Sequence, residues 1–130
     1  MHPATKLLVQ ASSAMEKILD QLSFSEYPNS ELREELYSSL DKTKSINYKE
    51  LFSQKGADPF RFDNVDPNDI GANVNYARLS FKQTFSSVSE NPLTIEDKTR
   101  LTEAKDSMMR SAKLLHKMTK RIEVDQELSI

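Results

Sequence analysis

Apolar residues along this chain return at intervals of three and four, the period of helices with one buried face. Ala4, Leu8, Ala11, Met15, Ile18 and Leu22 form the first such row and predict a helix opening at Pro3, where a missing N–H costs nothing. The row breaks near Ser25-Glu26-Tyr27-Pro28, because the residue before a proline avoids helical geometry. Leu32, Leu36 and Leu40 carry a second helix, with Ser30 as its N-cap and Glu31 in the positive first turn. The brief link Tyr27-Pro28-Asn29 predicts that the two helices form an antiparallel hairpin over residues 4–42.

Residues 43–66 read as an irregular connector holding one short helix. Asn47 to Glu50 has capping-box spacing, Leu51-Phe52 follows, and Gly56 marks a stop. Asp58-Pro59 and Asp66-Pro67 are turn formers, and between them Phe60, Phe62 and Val65 alternate with polar residues, giving one apolar edge suited to packing on a helix pair or a neighbouring subunit. Asp66 then caps a helix with Pro67 at its first position, in which Ile70, Val74, Ala77, Phe81, Phe85 and Val88 keep a helical period.

After Ser89-Glu90-Asn91-Pro92, Thr94 and Asp97 form a weaker capping box, and no proline or glycine follows from Leu93 to Ile130. A long helix from Ile95 to about Glu123 is expected, closing a C-terminal hairpin over 67–123 and leaving 124–130 as a tail. Within it Leu101, Met108, Leu115 and Ile122 recur every seven residues, with Ala104, Ser111 and Met118 at the complementary position. That heptad seam, with Phe60 and Phe62, is the expected oligomer or partner interface. Met108, Met109 and Met118 would give it a soft surface that tolerates different partners.

Composition narrows the picture. With 37% hydrophobic and 29% charged residues, two glycines and few β-branched or aromatic residues, the 130-residue chain is expected to be all-α: helical hairpins in one small bundle, with a long C-terminal helix and an irregular central connector. The absence of cysteine excludes disulfides, thiolate nucleophiles and cysteine-held metals. The opening stretch Met1 to Val9 has no apolar run of signal-peptide length, and no segment approaches the ~20 apolar residues of a membrane span, so a cytoplasmic or particle-internal location without membrane contact is expected.

Net charge is −2, but residues 1–70 hold 12 acids and 8 bases, whereas residues 71–130 hold 8 acids and 10 bases. The bases Arg110, Lys113, Lys117, Lys120 and Arg121 fall three or four apart, with Asp106 the only acid between Lys105 and Arg121. Such a stripe can follow a phosphate backbone, meet an acidic partner, or offset the dipole of a helix that opens with Glu96 and Asp97. Dipole compensation on a solvated face is the preferred reading. No aromatic is interleaved for base stacking, and Glu123, Asp125 and Glu127 would repel phosphate.

Catalytic chemistry finds no foothold. His2 and His116 are far apart, and the heptad frame turns His116 outward beside Lys117, without the small residues that clear space around a phosphotransfer histidine. The acids Asp58, Asp63, Asp66 and Asp69 with Asn64 and Asn68 miss a calcium loop: counted from Asn64, Asp69 stands where glycine is needed and Asn75 where a bidentate glutamate is needed. Neighbouring carboxylates such as Glu34-Glu35 and Glu96-Asp97 diverge by about 100° around a helix. No catalytic residue, metal or cofactor is expected.

The second half of the chain resembles the antiparallel central hairpin of small terminase subunits from some tailed phages. The likeness lies in Tyr76-Ala77-Arg78 with Phe81, a turn, and a helix passing through Leu115-His116-Lys117. It implies an oligomer associated with DNA packaging. The residues themselves point first to a non-enzymatic assembly or adaptor protein that binds a protein partner or further copies of itself. A nucleic-acid-associated oligomer using the basic stripe is the alternative.

Overall fold

The computed structural model of the protein describes residues 1–24, 26–54, 66–88 and 93–128, and for Pro67, Arg121 and residues 123–128 the backbone alone. Its elements are α1 (Pro3–Ser23), α2 (Ser30–Lys42), a 3₁₀ turn (Thr43–Ser45), α3 (Tyr48–Phe52), α4 (Pro67–Val88) and α5 (Ile95–Leu128). The fold is all-α, with no strand among the described residues.

Local chemistry starts most of these helices where the sequence predicts. Pro3 opens α1, and His2 caps it by accepting the Ala4 N–H at Nδ1, 3.1 Å away. Asn47 accepts the Glu50 N–H at the start of α3, and Asp66 accepts the Asn68 N–H at 2.8 Å at the start of α4. Thr94 and Asp97 form the reciprocal box: the Asp97 N–H donates to Thr94 Oγ1 at 3.0 Å, and the Thr94 N–H to Asp97 Oδ2 at 3.4 Å.

Three boundaries differ from expectation. The N-cap of α2 is Asn29, whose side chain accepts the Leu32 N–H at 2.9 Å, so Ser30 is already helical. The short helix ends at Phe52, before Gly56, which lies outside the described residues along with Phe60 and Phe62. The last helix continues to Leu128, since nothing after Glu123 offers a stop signal.

The helices run up, down, up and down around one core. Helix α5 packs on both α4 and α1, and α1 also packs on α2. The hydroxyls of Thr5 and Thr119 lie 3.5 Å apart, which sets the start of α1 beside the far end of α5 and makes the two antiparallel. Residues Ala4 and Leu7 share a pocket with Ser45 and Ile46, so α2 returns alongside α1. Side chains close the ring between α2 and α4: Phe85 stacks on Tyr27 at 5.9 Å and meets Tyr37 at 6.2 Å, while the Arg33 guanidinium lies over the Tyr27 ring at 5.2 Å.

All four helical rows contribute to that core. Leu8, Met15 and Ile18 from α1, Leu36 and Leu40 from α2, Ile70, Phe81 and Phe85 from α4, and Leu101, Met108 and Leu115 from α5 are essentially inaccessible to solvent. The short helix α3 packs on α4, where the Tyr48 ring lies over Gly71; a Cβ there would come within 3.1 Å of the ring, tighter than ordinary contact. Burial pushes the Tyr48 hydroxyl up from 10.0 to about 12, and its oxygen has no hydrogen-bond partner among the described residues. Among the described residues no helix is long and apolar enough to cross a membrane.

Two consequences are measurable. Phe81→Ala, which empties a fully buried aromatic site, should lower unfolding free energy in denaturant by about 3–5 kcal/mol. Tyr48→Phe removes an unpartnered hydroxyl and should be neutral or stabilising by up to about 1 kcal/mol. Because the folded state raises the Tyr48 pKa, wild-type stability should hold below pH 10 and fall as pH rises towards 12. The phenylalanine variant should lose less over that window, as read from urea midpoints at neutral and alkaline pH.

Candidate functional site

The seven residues of the α5 seam do not form an exposed surface. Leu101, Ala104, Met108, Ser111, Leu115, Met118 and Ile122 are all buried, at 0–5% accessibility, in the chain's own core. The heptad row is a helix-to-helix contact, as its period requires, but α1 and α4 of the same chain supply the cover. An interface through these seven would require the bundle to open. Met108 and Met118 are likewise interior, and only Met109 reaches the surface.

The basic residues lie on the opposite side of α5. Arg110, Lys113, Lys117 and Lys120 are exposed, and none forms an ion pair with a described residue. The nearby acid Asp106 is engaged by Lys105 at 3.0 Å. For Arg121 the backbone alone is described, and it continues the helix.

Between this basic face and α1 runs an outward groove of about 280 Å³. Val9, Ser12 and Ser13 of α1 line it together with Met109, Ala112, Lys113 and His116 of α5, and Met1, Thr5 and Glu16 also contribute to its wall. The antiparallel crossing fixed near Thr5 and Thr119 brings the two walls together. Val9 remains 41% exposed, leaving an apolar floor open to water beside a charged rim.

His116 belongs to this groove and is partly buried, with Nδ1 enclosed and without a hydrogen-bond partner among the described residues. The heptad frame turns His116 outward, but α1 flanks α5 closely enough to cover part of it beside the core row. Val9 escaped the sequence reading because it falls outside the apolar row of α1, and Met109, read there as part of a soft seam surface, lies instead beside the buried row, facing the groove. The available signal was an apolar residue on the polar side of each of two helices. Phe24 at 77%, Tyr76 at 61% and Ile95 at 87% exposure are further apolar surface residues, with Leu79 one turn from Tyr76.

Among the described residues no group of three or more histidines, aspartates or glutamates is placed to hold a metal ion. Compared with protein-family models, with curated proteins and with solved structures, the chain matches none.

The exposed stripe yields a direct test. If it offsets the α5 dipole or meets protein, the chain should show no detectable binding to random duplex DNA at physiological salt. Lys113→Gln with Lys117→Gln should then change stability by only a few tenths of a kcal/mol per charge. Phosphate recognition would instead give affinity falling with a log–log salt slope of about −0.9 per contact, abolished in the double variant.

Proposed function

We propose that this chain is a non-enzymatic association protein, an assembly component or adaptor, whose α1–α5 groove receives part of another polypeptide. The observation that carries the reading is the apolar floor at Val9, Met109 and Ala112, set outward and bordered by Lys113, His116 and Glu16. An apolar centre inside a polar rim is the anatomy of a protein interface. Covering such a floor gains roughly 25 cal/mol per Å² of apolar surface removed from water. Burial of the heptad seam moves the expected contact from the core row of α5 to its flank.

The competing reading is an oligomer that lies along nucleic acid through Arg110, Lys113, Lys117 and Lys120. Their exposure and their lack of acidic partners among the described residues support it. The groove favours protein, since an apolar floor offers nothing to a phosphate.

A photo-crosslinking residue replacing Ser13, in cells that make the protein naturally, tests the reading. The expected result is a covalent adduct with a protein identified by its peptides, lost when Val9→Asp is added, with no such adduct from a crosslinker at the exposed Glu31 of α2. Adducts with nucleic acid alone, or none, would overturn it.

A further inference from the structure

The charge bordering the α1–α5 groove sits mainly on its α5 side. The α1 wall offers Val9, Ser12 and Ser13, whose side chains are neutral, and Glu16. On α5, Met109, Lys113, His116 and Lys120 follow one another at spacings of four, three and four, so the helix sets them along one line of its surface beside the groove. Lys113 and Lys120 are exposed, about two turns apart, and neither forms an ion pair with a described residue.

The register of the two helices sets the groove's length and keeps its one acid away from those bases. Thr5 and Thr119 are level and the helices run antiparallel. Glu16, eleven residues on from Thr5, therefore falls level with Met108, eleven residues back from Thr119, while Lys113 and Lys120 lie along the other stretch. At ~1.5 Å per residue the groove from Thr5 to Glu16 runs for about 16 Å, or about three helical turns. Its walls are helix surfaces and offer no unpaired backbone edge. An extended segment laid there would leave its own N–H and C=O groups without protein partners, whereas a helix arrives with them already paired.

Resting on the reading of the α1–α5 groove as a docking surface, the geometry points to its occupant: an acidic amphipathic helix of a partner protein. Apolar residues recurring at i, i+4 and i+7 cover Val9, Met109 and Ala112, and two carboxylates seven residues apart on one flank of that stripe meet Lys113 and Lys120. The apolar floor supplies the affinity and the basic edge selects the partner. A basic helix meets like charge at both lysines, and a phosphate backbone pairs with them while leaving the floor bare. Ion pairs at such an exposed edge are screened by salt, so discrimination is sharpest at low ionic strength.

Three lactam-stapled helical peptides of about fourteen residues, titrated against the full chain by fluorescence anisotropy, test this. One carries leucines at i, i+4 and i+7 with two glutamates seven apart beside them, the second has lysines for the glutamates, and the third has serines for the leucines. At low salt the glutamate–leucine peptide should bind about tenfold or more tightly than either of the others, weaken as salt is added, and shift the backbone amide NMR signals of Val9, Ser13, Ala112 and His116. Lys113→Glu with Lys120→Glu, two surface changes checked for unaltered helix content by circular dichroism, should reverse the order and favour the lysine peptide. Equal binding of the glutamate and lysine peptides, or an order unmoved by the charge reversal, would overturn the acidic helix. So would random duplex DNA that displaces the glutamate peptide, or a chain whose own dimer is dissolved by Val9→Asp, which would put a second copy in the groove. If neither leucine peptide binds but the Ser13 crosslinker captures a protein, the acidic helix is wrong and the docking groove stands. If Ser13 also gives no protein adduct, the docking reading falls with it.

Discussion

One apolar row on α5 must be covered from two directions at once, and the rest of the bundle is arranged around that requirement. Leu101, Met108 and Leu115 face inward between α1 and α4, while Ala104 and Ala112 let neighbouring backbones approach. Neither hairpin is self-sufficient: α4 shields only one flank of the row, and the first hairpin must dock through α1 to shield the other. The aromatic stack of Phe85 with Tyr27 and Tyr37 closes the remaining side, joining α4 to α2 through rings.

The same packing decides what is left for function. Once α5's core row is enclosed, its outward half is a solvent face with bases in the middle and an apolar margin against α1. The proposed docking surface therefore lies at the junction of two helices rather than on either alone. Val9 and Met109 acquire meaning only as facing members of one groove, and His116 loses part of its hydration by sitting beside it. The core residues support this surface indirectly, by holding α1 and α5 at a fixed spacing.

How much of this was legible in the sequence follows from the range of the forces involved. Caps at Asn47, Asp66 and Thr94 reach only two or three residues along the chain, so composition and spacing disclose them. Asn29 and Ser30 are both good caps and adjacent, and local chemistry could not choose between them. The row in α5 announced a helix contact, but period alone carries no label saying whether the cover comes from the same chain or another. The groove was least visible, since it depends on the pairing and register of helices separated by about a hundred residues, as Thr5 and Thr119 are.

That threonine pair has a consequence for the uniqueness of the fold. Rows of leucine, methionine and alanine are nearly degenerate under translation: sliding α1 along α5 by a turn brings carbon against carbon again, with little to choose between the settings. Thr119 sends its hydroxyl hydrogen to the Leu115 carbonyl at 2.8 Å and keeps an oxygen lone pair for Thr5. In any slipped setting the buried Thr5 hydroxyl would face hydrocarbon, a cost of about 1–3 kcal/mol that the correct setting avoids. Two small hydroxyls thus work like the notch on a slide rule, contributing little cohesion while selecting one alignment from several that grease alone would accept.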